Sequence, residues 1–242
     1  MVLRPKIIIS PVSHFNRSLY LRTTYLLAAS CAAAFLLDHR ECRRPALLMG
    51  ASDEAYQKVQ IPQRGQAPTH VIYGTLMGDT GIHTYDVYRD MKAAPALRRY
   101  RSQWLREERA GNKAHIAVEP VLPIVKADVV LGEYLDGHVG TVHGGILALM
   151  VDDFFGHAYE AVGVPMAVTA NLNMNYRAPV PGGARVCMMA ELTAWEGRKL
   201  FFALQVVDGS DNRKVYCDAT CLYIIPRPVH EKMMKEGFVV DS

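Results

Sequence analysis

The sequence predicts an α+β domain in which one antiparallel sheet wraps around a single long apolar helix. The helix is predicted at residues 140–159, where an apolar run too long for a strand has helical spacing. At residues 167–178, apolar and polar residues alternate strictly, which predicts a strand with one apolar and one polar face. Further strands are predicted at 184–195, 199–207 and 214–225. A sheet that covers one apolar helix is the arrangement that buries both elements best.

Shorter elements are predicted before the central helix. Residues 45–68 contain Pro45, Pro62 and Pro68 and are interpreted as a linker with one short helix. The elements expected in this part of the chain are the linker helix at 52–59, short strands at 71–76 and 82–87, a helix at 94–109, and extended segments at 115–125 and 127–135. These segments lead into the corner at which the central helix begins.

Two neighbouring acids, Asp152 and Asp153, lie in the middle of the predicted central helix. Asp152 shares a stripe with small residues such as Gly145 and Gly156, whereas Asp153 lies on the same side as His157. A carboxylate in a buried helix is unfavourable unless it is paired, hydrated or used in chemistry. The pattern alone leaves two interpretations open, a catalytic acid or an acid that caps a loop or meets solvent.

Composition excludes several classes of protein. Half of the 242 residues are hydrophobic, which allows a large core and excludes general disorder. Residues 1–44 contain seven Lys and Arg residues against two acids, a charge of +5, whereas the remainder has twenty against twenty-two, a charge of −2, and is not a basic nucleic-acid binder. The five cysteines include no C-x-x-C pair, which favours a reducing compartment. No nucleotide-binding or metal-binding motif is present, so no cofactor is expected.

The first 37 residues contain no acid and four basic residues, Arg4, Lys6, Arg17 and Arg22. This composition is typical of a mitochondrial transit peptide, so we predict a mitochondrial location, in the matrix or at the inner membrane. Residues 23–37 carry no charge and, extended back to residue 18, reach the length of a membrane span. Membrane association through residues 18–37, and an ordinary docking helix, are the alternatives.

An ordered set of short motifs resembles the hotdog-fold acyl-CoA thioesterases, in the branch that contains the phenylacetate-pathway thioesterases and thioesterase superfamily member 4. The resemblance covers about residues 120–226 and depends on the spacing of the whole set. The motifs are Gly137-His138, His143-Gly144-Gly145, Asp152, Val168-Thr169-Ala170-Asn171-Leu172, Asn175-Tyr176-Arg177-Ala178-Pro179 and Glu196-Gly197-Arg198-Lys199. It implies a hotdog domain at residues 111–228. A targeting leader or anchor at 1–44, a linker and helical extension at 45–110, and a C-terminal tail at 229–242 would complete the chain.

The resemblance also implies roles for individual residues. Asp152 matches the catalytic carboxylate, as general base or nucleophile, and Thr169 matches a threonine that supports it. Gly144 matches the residue whose backbone N–H polarises the thioester carbonyl, and His143 lies near the thioester. A helix N-terminus offers unpaired N–H groups, so this role for Gly144 is physically reasonable. Candidate substrate-binding residues are Gly145, Asn175, Tyr176, Arg177, Arg198 and Lys199, of which the last three could bind the CoA phosphates or simply be solvated charges.

The spacing of Gly144 and Asp152 predicts how such a site would be assembled. The two residues are eight positions apart, which is about 12 Å along a helix, too far for both to reach one thioester carbon. Either only one of them is catalytic, or Asp152 acts on a carbonyl bound at Gly144 of a second chain. The second interpretation predicts a homodimer with a shared active site.

The leading functional prediction is therefore an acyl-CoA thioesterase, with acyl-CoA as its substrate. One alternative is a hotdog dehydratase or hydratase, which would need an acid/base pair such as one that includes His157. Another is a non-catalytic module of the same fold that binds acyl-CoA or a protein partner.

Overall fold

An antiparallel sheet of eight strands, packed on one long helix, forms the framework of the computed structural model, which describes residues 55–62, 67, 69–119, 123–211 and 213–238. The strands are β1 (Tyr56–Lys58), β2 (Ile82–Asp90), β3 (His115–Ala117), β4 (Pro123–Leu131), β5 (Asp136–His138), β6 (Thr141–Val142), β7 (Val168–Tyr176), β8 (Arg185–Glu196), β9 (Lys199–Asp208) and β10 (Val215–Ile224). The helices are α1 (Ala94–Arg109), α2 (Gly144–Ala161) and α3 (Arg227–Glu236). A π-helical turn (Val71–Leu76) precedes β2, and a short 3₁₀ turn (Met91–Ala93) follows it.

The strand order places β7 at one edge of the main sheet. The order is β1-β2-β4-β8-β9-β10-β7, with β3 paired to β8, while β5 and β6 form a separate two-stranded sheet. All of these pairs are antiparallel. The predicted fold class, α+β with a hotdog arrangement, is confirmed.

Helix α2 is the element around which the sheet curves. Its buried residues are Leu147, Met150, Val151, Phe154, Phe155 and Ala158. They contact strands β4 and β7 to β10 and form the centre of one continuous hydrophobic core. The predicted helix therefore exists, but it begins at Gly144 because Thr141 and Val142 pair with β5 instead.

Two predictions about the segment before β2 are wrong. Residues 71–76 form a π-helical turn and not a strand; the His70 side chain accepts a hydrogen bond from the Tyr73 N–H (3.4 Å), and the Met77 N–H bonds back to the Ile72 carbonyl (2.9 Å). Residues 56–58, expected in a short helix, form β1 and pair with β2. In each case the backbone hydrogen-bond partners that the fold supplies determine the structure of the segment.

Strand β7 confirms the predicted strand at 167–178, but some of its apolar side chains are exposed within one chain. Val168 is 45% exposed and Tyr176 is 54% exposed, although both belong to the predicted apolar face. Strand β7 pairs with β10 on one side, and no described strand pairs with its other side. An uncovered apolar strand at a sheet edge is a surface suited to another chain.

Helices α1 and α3 are part of the same core as the sheet. Trp104 of α1 stacks on Trp195 of β8 with ring centroids 5.3 Å apart, and both side chains are fully buried. Both indole N–H groups donate to the Gly197 carbonyl, at 2.7 and 3.0 Å. Helix α3 was not predicted; its His230 bonds to Glu108 of α1 (2.8 Å), and its Met233 is buried.

The predicted leader at residues 1–44 lies outside the described residues, and so does the candidate membrane segment at 18–37. Among the helices that the structure does describe, none has both the length and the apolar character needed to cross a bilayer.

Glu191 of β8 is an acid on the face of the strand that points away from α2, and its burial should make the stability of the fold depend on pH. Burial raises its pKa to about 7, whereas an unfolded chain ionises it near 4.5. Between these two pH values the unfolded state loses its proton first, so stability falls as pH rises through this range and stays lower above it. We expect Glu191→Gln to increase the free energy of unfolding by about 1–3 kcal/mol at pH 8 and by much less at pH 4.5. Urea denaturation at both pH values measures this difference, and an equal effect at both would contradict it.

Candidate active site

The corner before α2 presents the helix N-terminus on the surface. His143 is the N-cap, and its Nδ1 accepts a hydrogen bond from the Gly145 N–H (2.9 Å). Gly144 is the first helical residue, so its N–H has no acceptor within the helix. The Tyr176 hydroxyl donates to the Gly144 carbonyl (2.8 Å), and its ring would lie 3.5 Å from a Cβ at position 144. This corner therefore combines an open N–H group with a tyrosine from the edge strand.

Asp152 is held by two residues from the neighbouring strands. The Thr169 hydroxyl donates to Asp152 Oδ1 (2.9 Å). The Tyr223 hydroxyl donates to the Asp152 backbone carbonyl (3.0 Å) and lies 3.5 Å from Oδ1. A bulge in β7 at Ala170, opposite the step from Leu222 to Tyr223 in β10, sets the register that places Thr169 opposite Tyr223. The contact between Thr169 and Asp152 is the one that the sequence resemblance implies; Tyr223 was not anticipated.

The structure does not bring Gly144 and Asp152 together within one chain. Gly144 lies beside Tyr176, which pairs with Cys217, whereas Asp152 lies beside Thr169, which pairs with Tyr223. Thr169 and Tyr176 are seven residues apart in one strand, which corresponds to about 23 Å. The two predicted catalytic groups are therefore associated with opposite ends of β7.

The predicted basic residues divide between these two ends. Arg177 follows β7 at the Gly144 end and forms an ion pair with Asp218 (Nε to Oδ2, 2.6 Å). Arg198 and Lys199 lie at the other end, where Arg198 donates to the Ile225 carbonyl (2.9 Å) and Lys199 is paired with Ile224. Asn175 is exposed on β7, while Gly145 contacts His143. No single cluster contains all of the predicted substrate-binding residues.

A second polar cluster surrounds Asp153 on the neighbouring side of α2. The Tyr73 hydroxyl donates to Asp153 Oδ2 (3.1 Å) and lies 2.9 Å from His157 Nε2. His70 Nε2 is 3.5 Å from Asp153 Oδ1. Burial raises the pKa of the Asp153 carboxyl, while His157, the Tyr73 hydroxyl and His70 each favour its ionised form. Burial also raises the pKa of the Tyr73 hydroxyl, and Asp153 raises it further.

The sequence predicts that Asp153 and His157 lie together in this second cluster, but it does not predict Tyr73. Asp153 and His157 are four residues apart, which places them on one side of a helix. Tyr73 comes from a segment 80 residues upstream, and its approach depends on the π-helical turn that replaced the predicted strand.

The two acids open onto one groove with a volume of about 590 Å³. Asp152, Thr169 and Tyr223 line one part, and Asp153, Tyr73 and His157 line another. Within the described part of the chain, no group of three or more His, Cys, Asp or Glu side chains is arranged to hold a metal ion. The groove thus contains a supported carboxylate, a buried acid with its tyrosine and histidine neighbours, and space for a small molecule.

The chain is similar in sequence to several proteins of the thioesterase superfamily. Residues 139–215 match the model of the thioesterase superfamily. The acyl-coenzyme A thioesterase THEM4 of Bos taurus is 39% identical over 93 residues, covering 38% of this chain and 37% of that protein. The human acyl-coenzyme A thioesterase THEM5 is 30% identical over 93 residues, with the same shares of the two chains. A variant of the phenylacetic acid degradation protein PaaI of Thermus thermophilus is 28% identical, with a TM-score of 0.36, covering 42% of this chain and 85% of that one.

These matches to the thioesterase superfamily and to the acyl-coenzyme A thioesterases confirm the resemblance identified from the sequence. The matches to the two acyl-coenzyme A thioesterases span less than two fifths of those relatives' own length.

Proposed function

We propose that this protein is an acyl-CoA thioesterase, which hydrolyses the thioester of an acyl-CoA to a free acid and CoA. The observation that carries the proposal is the Asp152 carboxylate, which is held by Thr169 and Tyr223 and lines a groove. The relatives named as acyl-coenzyme A thioesterases support this choice of reaction. Both hydroxyl contacts are on Oδ1, so Oδ2 keeps its lone pairs to accept a proton or to attack a carbonyl.

The chemistry assigned to Asp152 requires a partner that stabilises charge on the thioester oxygen. As water or the carboxylate attacks, the carbonyl oxygen becomes negative, and a helix N-terminus stabilises that charge through its free N–H groups and its dipole. Gly144 supplies such an N–H without a side chain of its own. His143 contributes by capping the helix, because its Nδ1 bonds to the Gly145 N–H and leaves the Gly144 N–H available.

The distance between these groups favours a site shared by two copies of the chain. In our proposal the unpaired edges of two β7 strands pair about a twofold axis. A pairing centred on Leu172, the middle residue of the strand, would place Val168 of one copy opposite Tyr176 of the other. Asp152 and Thr169 of one copy would then lie beside Gly144 of its partner, and the exposed apolar residues of β7 would be covered.

The same arrangement accounts for the division of the basic residues. Within one chain Arg177 lies at the opposite end of the sheet from Arg198 and Lys199. In a twofold pair, Arg177 of one copy would lie near the other copy's Arg198 and Lys199. Together these residues would surround the site with positive charge suited to the phosphates of CoA.

We also propose a mitochondrial location, in the matrix or at the inner membrane. The proposal depends on the acid-free, basic composition of the first 37 residues. It is independent of the catalytic assignment.

The proposed reaction is tested by release of CoA thiol from purified full-length protein. A panel of saturated acyl-CoAs of increasing chain length, with phenylacetyl-CoA added, covers the aliphatic and aryl substrates. We expect turnover of at least one member well above the rate with heat-inactivated protein. Binding of acyl-CoA without any thiol release would contradict the enzyme and favour a binding module.

A further inference from the structure

The outer face of α1 carries three arginines that the proposed hydrolysis does not use. Arg98, Arg99 and Arg106 recur at helical spacing on one side of the helix, and all three are exposed. They line one shallow surface depression together with Pro95, Ser102 and Gln103. This depression shares no lining residue with the groove of the candidate active site. We refer to the three residues as the arginine face.

Neighbouring acids do not neutralise the arginine face. Within the described part of the chain, no hydrogen bond or ion pair engages the guanidinium groups of Arg98 and Arg99. Arg106 approaches its neighbour Glu107, with Nε 3.9 Å from Oε1, but its side chain is 71% exposed. Burial lowers the pKa of the nearby Arg101, and the charge of Arg98 lowers it further. The face therefore presents a concentrated positive charge to solvent.

Helix α1 holds this charge on a fixed surface. Its other side is anchored in the core through the buried residues Ala96, Leu97, Tyr100 and Trp104. Arg101 donates to the Val162 carbonyl at the end of α2 (3.2 Å), which attaches α1 to the central helix. Arg98 and Arg106 are eight positions apart, which is about 12 Å along a helix. The arginines thus form an open array, without walls that would enclose a small ligand.

The residues around the arginines favour one class of anionic partner. The centre of a protein–protein interface is usually apolar or aromatic, whereas the only apolar residue in the described lining is Pro95. Single-stranded nucleic acid is bound by stacking bases on aromatic rings, and this lining has none. A phospholipid surface presents many phosphates at adjustable positions, so it needs positive charge without a matching shape. Residues 1–37, which contain four basic residues and no acid, would be attracted to the same surface.

We propose that the arginine face of α1 docks on a membrane surface that contains anionic phospholipids. Each guanidinium binds lipid phosphates through charge-assisted hydrogen bonds and raises the affinity for the membrane about fivefold. The docking is a separate property of the protein and does not depend on the hydrolysis assigned to Asp152.

Sedimentation of the purified full-length protein with lipid vesicles tests this proposal. One set of vesicles contains phosphatidylcholine alone, and the other contains phosphatidylcholine and phosphatidylglycerol in equal amounts. We expect binding to the anionic vesicles only, and this binding should weaken as NaCl is added. The triple variant Arg98→Gln, Arg99→Gln, Arg106→Gln should lower the partition coefficient about a hundredfold. Its thermal unfolding should match that of the wild type, because the three side chains lie outside the core.

A matched triple variant separates the position of the charges from their number. It removes three positive charges from other exposed sites through Lys113→Gln, Arg213→Gln and Lys232→Gln. Because these residues lie away from the arginine face in the sequence and pair with their own acids, binding should fall less than about fivefold.

A second comparison removes the contribution of the N-terminal residues. The background variant replaces the basic residues of the first 37 positions, Arg4, Lys6, Arg17 and Arg22, by Gln. The three arginine-face substitutions should cause the same fold loss in this background as in the wild type.

Equal binding of the wild type and the arginine-face variant to anionic vesicles would overturn the proposal. No binding of the wild type at low salt would overturn it as well, and is the result expected if an acidic protein occupies this face. Glycerol 3-phosphate, at the same phosphate concentration as the lipid and at constant ionic strength, should not displace the bound protein. Displacement would indicate a site for a small phosphate compound and would also overturn the docking on a membrane.

Discussion

Replacement of Asp152 by Asn should lower kcat by about 10²–10⁴-fold with little change in KM, the range that a general base contributes. Asn keeps the side-chain shape and an oxygen that can accept the Thr169 hydrogen bond, so the helix and its neighbours should remain in place. What is lost is the negative charge and the capacity to take a proton or attack a carbonyl. Steady-state CoA release on the best substrate of the panel measures the effect.

Asp86 provides the matched control for this substitution. It is a carboxylate of β2 that pairs with Lys58 (2.6 Å), outside the groove lining. Asp86→Asn should change kcat less than twofold, since surface ion pairs contribute about 0–1 kcal/mol to stability and none of it to the reaction. A kcat for Asp152→Asn within a few-fold of the wild type would remove Asp152 from the mechanism.

Truncation of Trp104 to Ala should reduce the free energy of unfolding by about 3–5 kcal/mol, the usual effect of removing a large aromatic side chain from a core. Trp104 is fully buried and stacks on Trp195, so no solvent or neighbouring side chain can fill the space without rearrangement. The sequence contains two tryptophans, and Trp195 would remain as the fluorescent reporter of urea unfolding.

Trp104→Phe is the control for the indole hydrogen bond. It keeps most of the ring but removes the N–H that donates to Gly197, whose carbonyl still accepts from Trp195. This variant should lose less than half as much stability as Trp104→Ala. A change below about 1 kcal/mol for Trp104→Ala would mean that α1 is a dispensable attachment to the domain and not part of its core.

The elements predicted correctly are those whose pattern has one physical interpretation. Helix α2 has an apolar run too long for a strand, and β7 alternates without exception. Residues 71–76 are also apolar, but a run of that length suits a strand and a helical turn equally well. The His70 cap and the backbone hydrogen bonds of the turn favour the helical turn over the strand, and these contacts depend on the three-dimensional structure.

In the candidate site, too, the sequence predicts the residues that belong to recognisable motifs and not those brought in from distant segments. Gly144, Asp152 and Thr169 belong to the motifs of the family resemblance, which implies the contact between Thr169 and Asp152 that the structure has. Tyr223 is separated from Asp152 by 71 positions in the sequence, and Tyr73 is separated from Asp153 by 80 positions. No local pattern identifies either tyrosine as part of the site. Helical spacing predicts that His157 lies on the side of Asp153, and in the structure it contacts Tyr73 and Asp153.

Subunit mixing tests whether Asp152 of one copy acts together with Gly144 of the other. The two variants are Asp152→Asn and Gly144→Pro, which removes the N–H donor. Proline is tolerated at the first position of a helix, and the extended conformation of His143 (φ −61°, ψ 127°) suits a residue before proline. Gly144→Ala, which keeps the N–H, is the matched control and should remain active.

The two variants are co-expressed with different affinity tags, and heterodimers are isolated by purification on both tags in turn. Each homodimer should be nearly inactive. In the heterodimer one site contains both substitutions and the other contains neither, so roughly half of the wild-type activity per dimer should return. Heterodimers as inactive as the two homodimers would contradict the shared site and place Gly144 and Asp152 in the same chain's mechanism.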